Sequence, residues 1–222
     1  MRAEEISSET SSMPSLHSRL LLVTDRHQTK GRSLISIVQR VLNVGSPAIQ
    51  LRERDLSAND LLELAREVKV LTSQRDSQLV VNDRIDVALS LEEVGVHLRS
   101  NSMPVTVARR LLGPRRLLGV SAHSMDEVVR AEGEGADYVV LGPVYDTPSK
   151  QAFGSPLGLS KLEEICRLVH VPIIGIGGIT VDRARDVRRA GAFGVAVITA
   201  ILGADDVKHA TRALLDVLAT VS

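Results

Sequence analysis

From Leu20 onward, short β-branched runs alternate with amphipathic segments, and each pair takes about 20 to 25 residues. That rhythm belongs to consecutive βα units, and eight of them can be counted. Strands are predicted at Leu20 to Thr24, Ala48 to Arg52, Gln78 to Asn82, Gly95 to Leu98, Leu117 to Ser121, Tyr138 to Val144, Pro172 to Ile176 and Gly194 to Ile198. Helices are predicted over Leu34 to Asn43, Ala58 to Leu71, Ile85 to Leu91, Val105 to Leu112, Asp126 to Glu134, Ser160 to Val169, Arg183 to Ala190 and Asp205 to Ala219. Ser57 with Asp60, and Ser124 with Glu127, carry the spacing of helix-capping pairs. Near-continuous apolar runs such as Val139-Val140-Leu141 and Ile173-Ile174 imply burial on both faces, as in a parallel sheet covered by helices. Eight such units favour a closed barrel over an open doubly wound sheet. The expected fold is therefore α/β, a single (β/α)8 TIM barrel over residues 19–222.

The remaining composition removes several classes of function. Lys plus Arg equals Asp plus Glu, at 27 each, so no global field draws nucleic acid or an anionic membrane, and any anion site must be local. Aromatic residues are 2% of the chain and Trp is absent, which leaves few platforms for stacking bases. No apolar run approaches the roughly 20 residues of a membrane span. Residues 1–18 are Ser-rich, carry Glu4, Glu5 and Glu9, and lack a secretory signal; they are expected to be a disordered tail on a cytoplasmic protein. The lone Cys166 sits in an apolar helical pattern, which excludes an intramolecular disulfide and suits a buried, reduced thiol.

Active sites of such barrels lie at the C-terminal ends of the strands, so those positions are where chemistry is sought. After the second strand, Gln50, Arg52 and Arg54 fall on one side by alternation, and two guanidiniums there would form a fork-like anion clamp. An Arg–Glu pairing through Glu53 is the alternative. Asn82-Asp83 closes the third strand, where Asp83 could either cap the next helix or hold a metal or diphosphate. The sixth strand runs directly into Gly142-Pro143-Val144-Tyr145-Asp146-Thr147-Pro148-Ser149-Lys150, a loop whose Thr147 and Ser149 hydroxyls and Lys150 ammonium suit a phosphate. Gly175-Ile176-Gly177-Gly178 lets backbone amides approach a ligand closely, though its spacing is not that of a dinucleotide fingerprint. His97 reads as a packed barrel residue, whereas His123, at the top of its strand, could act as an acid or base. No zinc-ligand spacing and no Ser-His-Asp set is evident.

Taken in order, Leu22-Val23-Thr24-Asp25, Gln50-Leu51-Arg52-Glu53, Asn82-Asp83-Arg84, Gly95-Val96-His97-Leu98, Gly119-Val120-Ser121-Ala122-His123, Gly142-Pro143-Val144, Thr147-Pro148-Ser149-Lys150, Gly175-Ile176-Gly177-Gly178 and Gly194-Val195-Ala196-Val197 resemble the thiamine phosphate synthase / TenI superfamily from about Leu20 to Leu202. The resemblance implies an enzyme that joins hydroxymethylpyrimidine diphosphate to hydroxyethylthiazole phosphate, releasing diphosphate with Mg²⁺. By that similarity Gln50, Arg52, Asn82, Thr147, Ser149 and Lys150 would hold the pyrimidine diphosphate, with Arg52 and Lys150 also catalytic. Asp83 would bind Mg²⁺, and Gly178, Ile198 and Thr199 would cradle the thiazole phosphate. Two departures stand out: Arg54 replaces the usual Lys, and Ser102 replaces a second Mg²⁺-binding Asp. Together with Ser121-Ala122-His123-Ser124 they resemble the TenI branch, whose reaction is thiazole phosphate tautomerisation with His123 as acid and base and no metal. A barrel that binds a thiazole or pyrimidine phosphate without turnover is the third possibility. The expected partners are small phosphorylated molecules, and the sequence leaves the oligomeric state open, a homo-oligomer included.

Overall fold

The computed structural model of the chain describes residues 14–147 and 155–220. Eight parallel strands close on themselves in chain order: β1 (Leu20–Val23), β2 (Ala48–Leu51), β3 (Leu79–Asn82), β4 (Gly95–Leu98), β5 (Leu118–Ala122), β6 (Tyr138–Leu141), β7 (Ile173–Ile176) and β8 (Gly194–Val197). Closure is made by β1, in which Leu21 sits opposite both Ala48 of β2 and Ala196 of β8. Around this lie α1 (Leu34–Leu42), α2 (Ala58–Ser73), α3 (Ile85–Leu89), α4 (Val105–Leu112), α5 (Met125–Gly133), α6 (Gly158–Leu168), α7 (Val181–Arg189), α8 (Thr199–Leu202) and α9 (Val207–Thr220). The chain is a (β/α)8 TIM barrel.

Alternation along the strands sorts the apolar residues into two cores. Leu20, Leu22, Ile49, Leu51, Val139 and Leu141 face the helices, while Leu21, Val23, Ala48, Val80, Tyr138, Val140, Ile174 and Ala196 fill the barrel. Both faces are therefore buried, which is why the strands read as unbroken apolar runs. Tyr138 fits only because its neighbour on β5 is glycine: a Cβ on Gly119 would lie 2.1 Å from the Tyr138 ring. Side chains of Ser33, Ser57, Ser124 and Thr180 accept backbone N–H groups at the starts of α1, α2, α5 and α7.

Three expectations need correction. Predicted strands overran their ends at Thr24, Arg52, Val144 and Ile198, although the Thr24 and Val144 N–H groups still donate to Gln50 of β2 and Ile176 of β7. A 3-10 turn at Arg26–Gln28 and the short α8 were not foreseen, their few residues giving no period to detect. Finally, the last residues of the segment 1–18, expected to be disordered, are among the described residues and are held in place. Leu16 is buried in the barrel interior, and Gln78 donates to the Ser15 carbonyl at 2.8 Å while accepting from the His17 N–H at 2.8 Å. One apolar side chain in a polar segment has no periodicity to announce it.

Candidate active site

The ends of β1 and β2 are tied together by Glu53, which sequence reading considered only as a pairing partner for arginine. Glu53 is 5% exposed, and its carboxylate accepts from Thr24 Oγ1 at 2.6 Å and from the Arg26 N–H at 3.0 Å. Thr24 Oγ1 in turn accepts the Arg52 N–H at 2.9 Å, so the Arg52 backbone is held through two side chains. Arg26 reaches Asp55 with two nitrogens, at 2.6 and 2.7 Å, and this pairing raises the guanidinium above its ordinary range. Arg52 itself is 17% exposed, with one nitrogen 3.8 Å from Asp25 Oδ2. Arg54 does not join it. β2 has ended by Leu51, and Arg54 lies exposed in a turn, so the alternation that grouped it with Arg52 no longer applies. Of the two arginines expected to form a clamp, Arg52 is the one held at this strand end, through Thr24 and Glu53.

Inside the barrel mouth the aliphatic filling gives way to a polar tier. Gln50 is buried and donates to Asn82 Oδ1 at 3.0 Å. Asn82 lies opposite His97 in the β3–β4 register. His97 is buried, with Nε2 2.9 Å from Ser121 Oγ and Nδ1 3.1 Å from the Tyr138 hydroxyl. Burial pushes its imidazole down to about 3, against a weaker opposing pull from Asp83, so the ring is neutral and carries one N–H. Burial also raises the Tyr138 phenol, which stays protonated. Among the described residues the Tyr138 hydroxyl hydrogen has no acceptor but Nδ1. The consistent arrangement is Tyr138 donating to Nδ1 and Nε2–H donating to Ser121, which leaves the serine hydroxyl hydrogen for another group.

Asp83, with φ of 65°, does not cap α3; the residue at that cap is Arg84, without a side-chain bond. Its carboxylate turns to the loop after β4. Arg99 Nε donates to Oδ2 at 2.6 Å, a second Arg99 nitrogen touches the same oxygen, and Ser102 Oγ donates to Oδ1. Arg99 and Ser102 also line a cavity of about 230 Å³ beside the mouth, with Ser121, Glu127 and Arg130 on its wall. Among the described residues no three His, Cys, Asp or Glu side chains are grouped to hold a metal ion.

Across the mouth, Gly177 and Gly178 carry φ of 102° and 64° and lie against the loop after β6: a Cβ on Gly178 would meet the Asp146 carbonyl and Tyr145 Cβ at 2.9 Å. Arg183 fastens this contact by donating to the Gly178 carbonyl at 2.8 Å while lying 4.5 Å over the Tyr145 ring. Ile198 precedes α8 and Thr199 is its first residue, so both belong to a helix start and not to the strand. Thr147 is partly buried on the β6 loop, whereas Ser149 and Lys150 lie outside the described residues. His123 follows β5, exposed; its N–H donates to Glu127 Oε2 at 2.6 Å and its Nδ1 lies 3.4 Å from the same oxygen. Glu127 thus reaches back past Ser124 to His123. Cys166 is partly buried on α6, and burial pushes its thiol up to about 11.

A parallel eight-stranded barrel whose C-terminal mouth gathers amides, hydroxyls, arginines and a paired glycine turn is a TIM-barrel protein built to receive a small polar ligand. The sequence pattern described as thiamine monophosphate synthase matches residues 20–201, and the chain belongs to that family. The thiamine-phosphate synthase of Roseiflexus castenholzii is 47% identical over 93% of this chain and 90% of its own length. That of Moorella thermoacetica is 47% identical over 85% and 90%. Among solved structures, the thiamine phosphate pyrophosphorylase from Pyrococcus furiosus superposes with a TM-score of 0.83 at 35% identity, covering 91% of this chain and 96% of that one.

Proposed function

We propose that the chain is a thiamine-phosphate synthase of thiamine biosynthesis, a transferase joining hydroxymethylpyrimidine diphosphate to hydroxyethylthiazole phosphate. The observation that carries this reading, beside family membership, is the polar tier in the barrel mouth: Gln50 on Asn82, with Arg52 beyond them. Interior barrel positions are ordinarily filled by branched aliphatic side chains, so an amide pair there, Gln50 buried and Asn82 partly so, signals a ligand to be oriented.

In this reading Gln50 and Asn82 orient the pyrimidine, and Ser121, held by neutral His97, offers its hydroxyl hydrogen to the same ligand. Arg52, Thr147, Ser149 and Lys150 disperse the charge that collects on the diphosphate as its bond to the pyrimidine methylene breaks. Gly178, Ile198 and Thr199 hold the thiazole phosphate on the opposite side. The electron pair of the thiazole nitrogen then forms the new C–N bond to the pyrimidine cation. Fixed donors and cations suit this chemistry, because the demand is to stabilise the negative charge gained by a departing diphosphate and no protein nucleophile is needed. The Mg²⁺ implied by the resemblance would fall at Asp83, where, among the described residues, no group of three metal-ligating side chains forms and the Asp83 carboxylate is already engaged by Arg99 and Ser102. As arranged, those residues do not fit a protein-bound ion, and no step is routed through one. A cytoplasmic location belongs to this reading and is supported by the biosynthetic role.

A tautomerase acting through His123 is the second reading, favoured by Ser102 and by the carboxylate of Glu127 beside the His123 ring. One experiment separates the two: the protein is incubated with both synthase substrates and Mg²⁺, and separately with the thiazole tautomer. Thiamine phosphate should form in the first; its absence, with conversion in the second that disappears in His123→Ala, would replace the synthase by the tautomerase. Tight binding without turnover in either would leave a non-catalytic barrel.

A further inference from the structure

We propose that the Arg99 guanidinium is the resident cation of the Asp83 position and receives the leaving diphosphate there, in place of a divalent ion held on protein carboxylates. The proposal rests on the synthase reading for its ligand, and on the geometry around Asp83 for its charge.

Three observations converge. The first is the donor set. A magnesium ion demands near-octahedral oxygen coordination at short distance and gives up water reluctantly. Asp83 supplies one carboxylate, and both its oxygens are in use: Oδ2 by two nitrogens of Arg99 and Oδ1 by the Ser102 hydroxyl. Ser102 brings no negative charge, so a dication here would meet a pair already neutral and would have to displace a tethered cation.

The second is the construction of the loop. The Arg99 N–H donates to Ser102 Oγ at 3.0 Å, and the Ser102 N–H donates to the Arg99 carbonyl at 3.1 Å. The segment closes on itself before either side chain reaches Asp83, and both then reach it together. An isolated, exposed ion pair is a weak and mobile contact. This one is preorganised by the backbone that carries it.

The third is access. Arg99 is 49% exposed and lines the cavity beside the mouth with Ser121, while Asp83 is 20% exposed. A guanidinium has five N–H donors, and the contacts to Asp83 involve two of its nitrogens on a single oxygen. Its other donors can take phosphate oxygens, as arginine does wherever a planar fork meets an oxyanion. Asp83 directly follows Asn82, so the charge stands next to the amide pair proposed to orient the pyrimidine. Divalent metal would then arrive only as a companion of the diphosphate.

The test measures charge and ligand apart from turnover. Mn²⁺ binding to the full chain is followed by electron paramagnetic resonance for the wild type, Arg99→Ala and the double variant Arg99→Ala/Ser102→Asp. Inorganic diphosphate binding is followed calorimetrically in EDTA for the wild type, Arg99→Ala and Arg99→Lys. The wild type should bind Mn²⁺ at least tenfold more weakly than the double variant. It should bind metal-free diphosphate about tenfold more tightly than Arg99→Ala, the loss expected for one charge-assisted contact, with partial rescue by Arg99→Lys. Thermal unfolding confirms that each variant is folded, as the exposure of Arg99 leads one to expect. Mn²⁺ binding as tight in the wild type as in the double variant would overturn the proposal, and so would metal-free diphosphate affinity indifferent to Arg99→Ala. Either result alongside normal thiamine phosphate formation removes Arg99 and leaves the synthase standing. If no thiamine phosphate forms, the synthase falls, and the Mn²⁺ arm still decides which charge occupies Asp83.

Discussion

Folding stability should fall on mild acidification by an amount assignable to one residue, His97. Its imidazole is enclosed between Tyr138 and Ser121 in the barrel, and burial lowers it from 6.5 to about 3. The unfolded chain protonates this histidine near pH 6.5, whereas the native state does not until about pH 3. Between those values the unfolded state holds one more proton, so stability rises with pH through the window and is lost as pH falls. Each unit of separation is worth about 1.36 kcal/mol. Going from about pH 7.5 to about pH 5 crosses roughly 1.5 units below the unfolded value, for a loss of about 2 kcal/mol. Carboxylates titrating over the same range add their own slope, so the quantity to isolate is a double difference. Urea unfolding of the wild type and His97→Gln at both pH values supplies it, since Gln can keep a donor and an acceptor but cannot titrate. The variant should be less stable at neutral pH and should lack about 2 kcal/mol of the wild-type acid sensitivity. Equal pH dependence in the two proteins would refute the buried neutral imidazole, and with it the proton arrangement that leaves Ser121 a free donor.

The contrast between the two arginines gives a second check. Arg52→Ala should lower kcat/KM for synthase turnover by at least a hundredfold, on the order of one oxyanion-stabilising contact of about 2.7 to 4 kcal/mol. Arg54→Ala, exposed in its turn, should change it less than fivefold, on the order of 1 kcal/mol. Comparable losses at the two positions would show that the loop closes Arg54 onto the ligand after all. Cys166 offers a third: with its thiol pushed up to about 11, alkylation by iodoacetamide near pH 7.5 should run on the order of a hundredfold slower than for a free cysteine. Modification should leave turnover intact, and rapid labelling with inactivation would contradict the placement on α6.

Most of the fold was legible because burial on both strand faces writes itself as apolar runs, and helix starts at Ser57 and Ser124 write themselves as caps. What escaped was short or aperiodic: the 3-10 turn, the four residues of α8, and Leu16 packing into the barrel from a polar segment. The site divides in the same way. Gln50 and Asn82 could be placed because they sit within or at the end of a strand, where alternation decides the side. Arg54 could not, since three residues past the end of β2 the chain has already turned.

Charged residues in loops set the harder limit, because their partners are distant in sequence and chosen by three-dimensional closure. Glu53 looked like a neighbour for arginine and is the carboxylate that joins the ends of two strands through Thr24 and Arg26. Asp83 looked like either a helix cap or a metal ligand; it does not cap α3, and the loop after β4 delivers Arg99 and Ser102 to it. A departure noted in sequence as one lost carboxylate is, in three dimensions, a hydroxyl and a guanidinium delivered together. Residues 102 and 99 are therefore coupled through Asp83, and an Asp placed at 102 would meet Arg99 before it met any metal. That is why the double variant, and not Ser102→Asp alone, is the informative one.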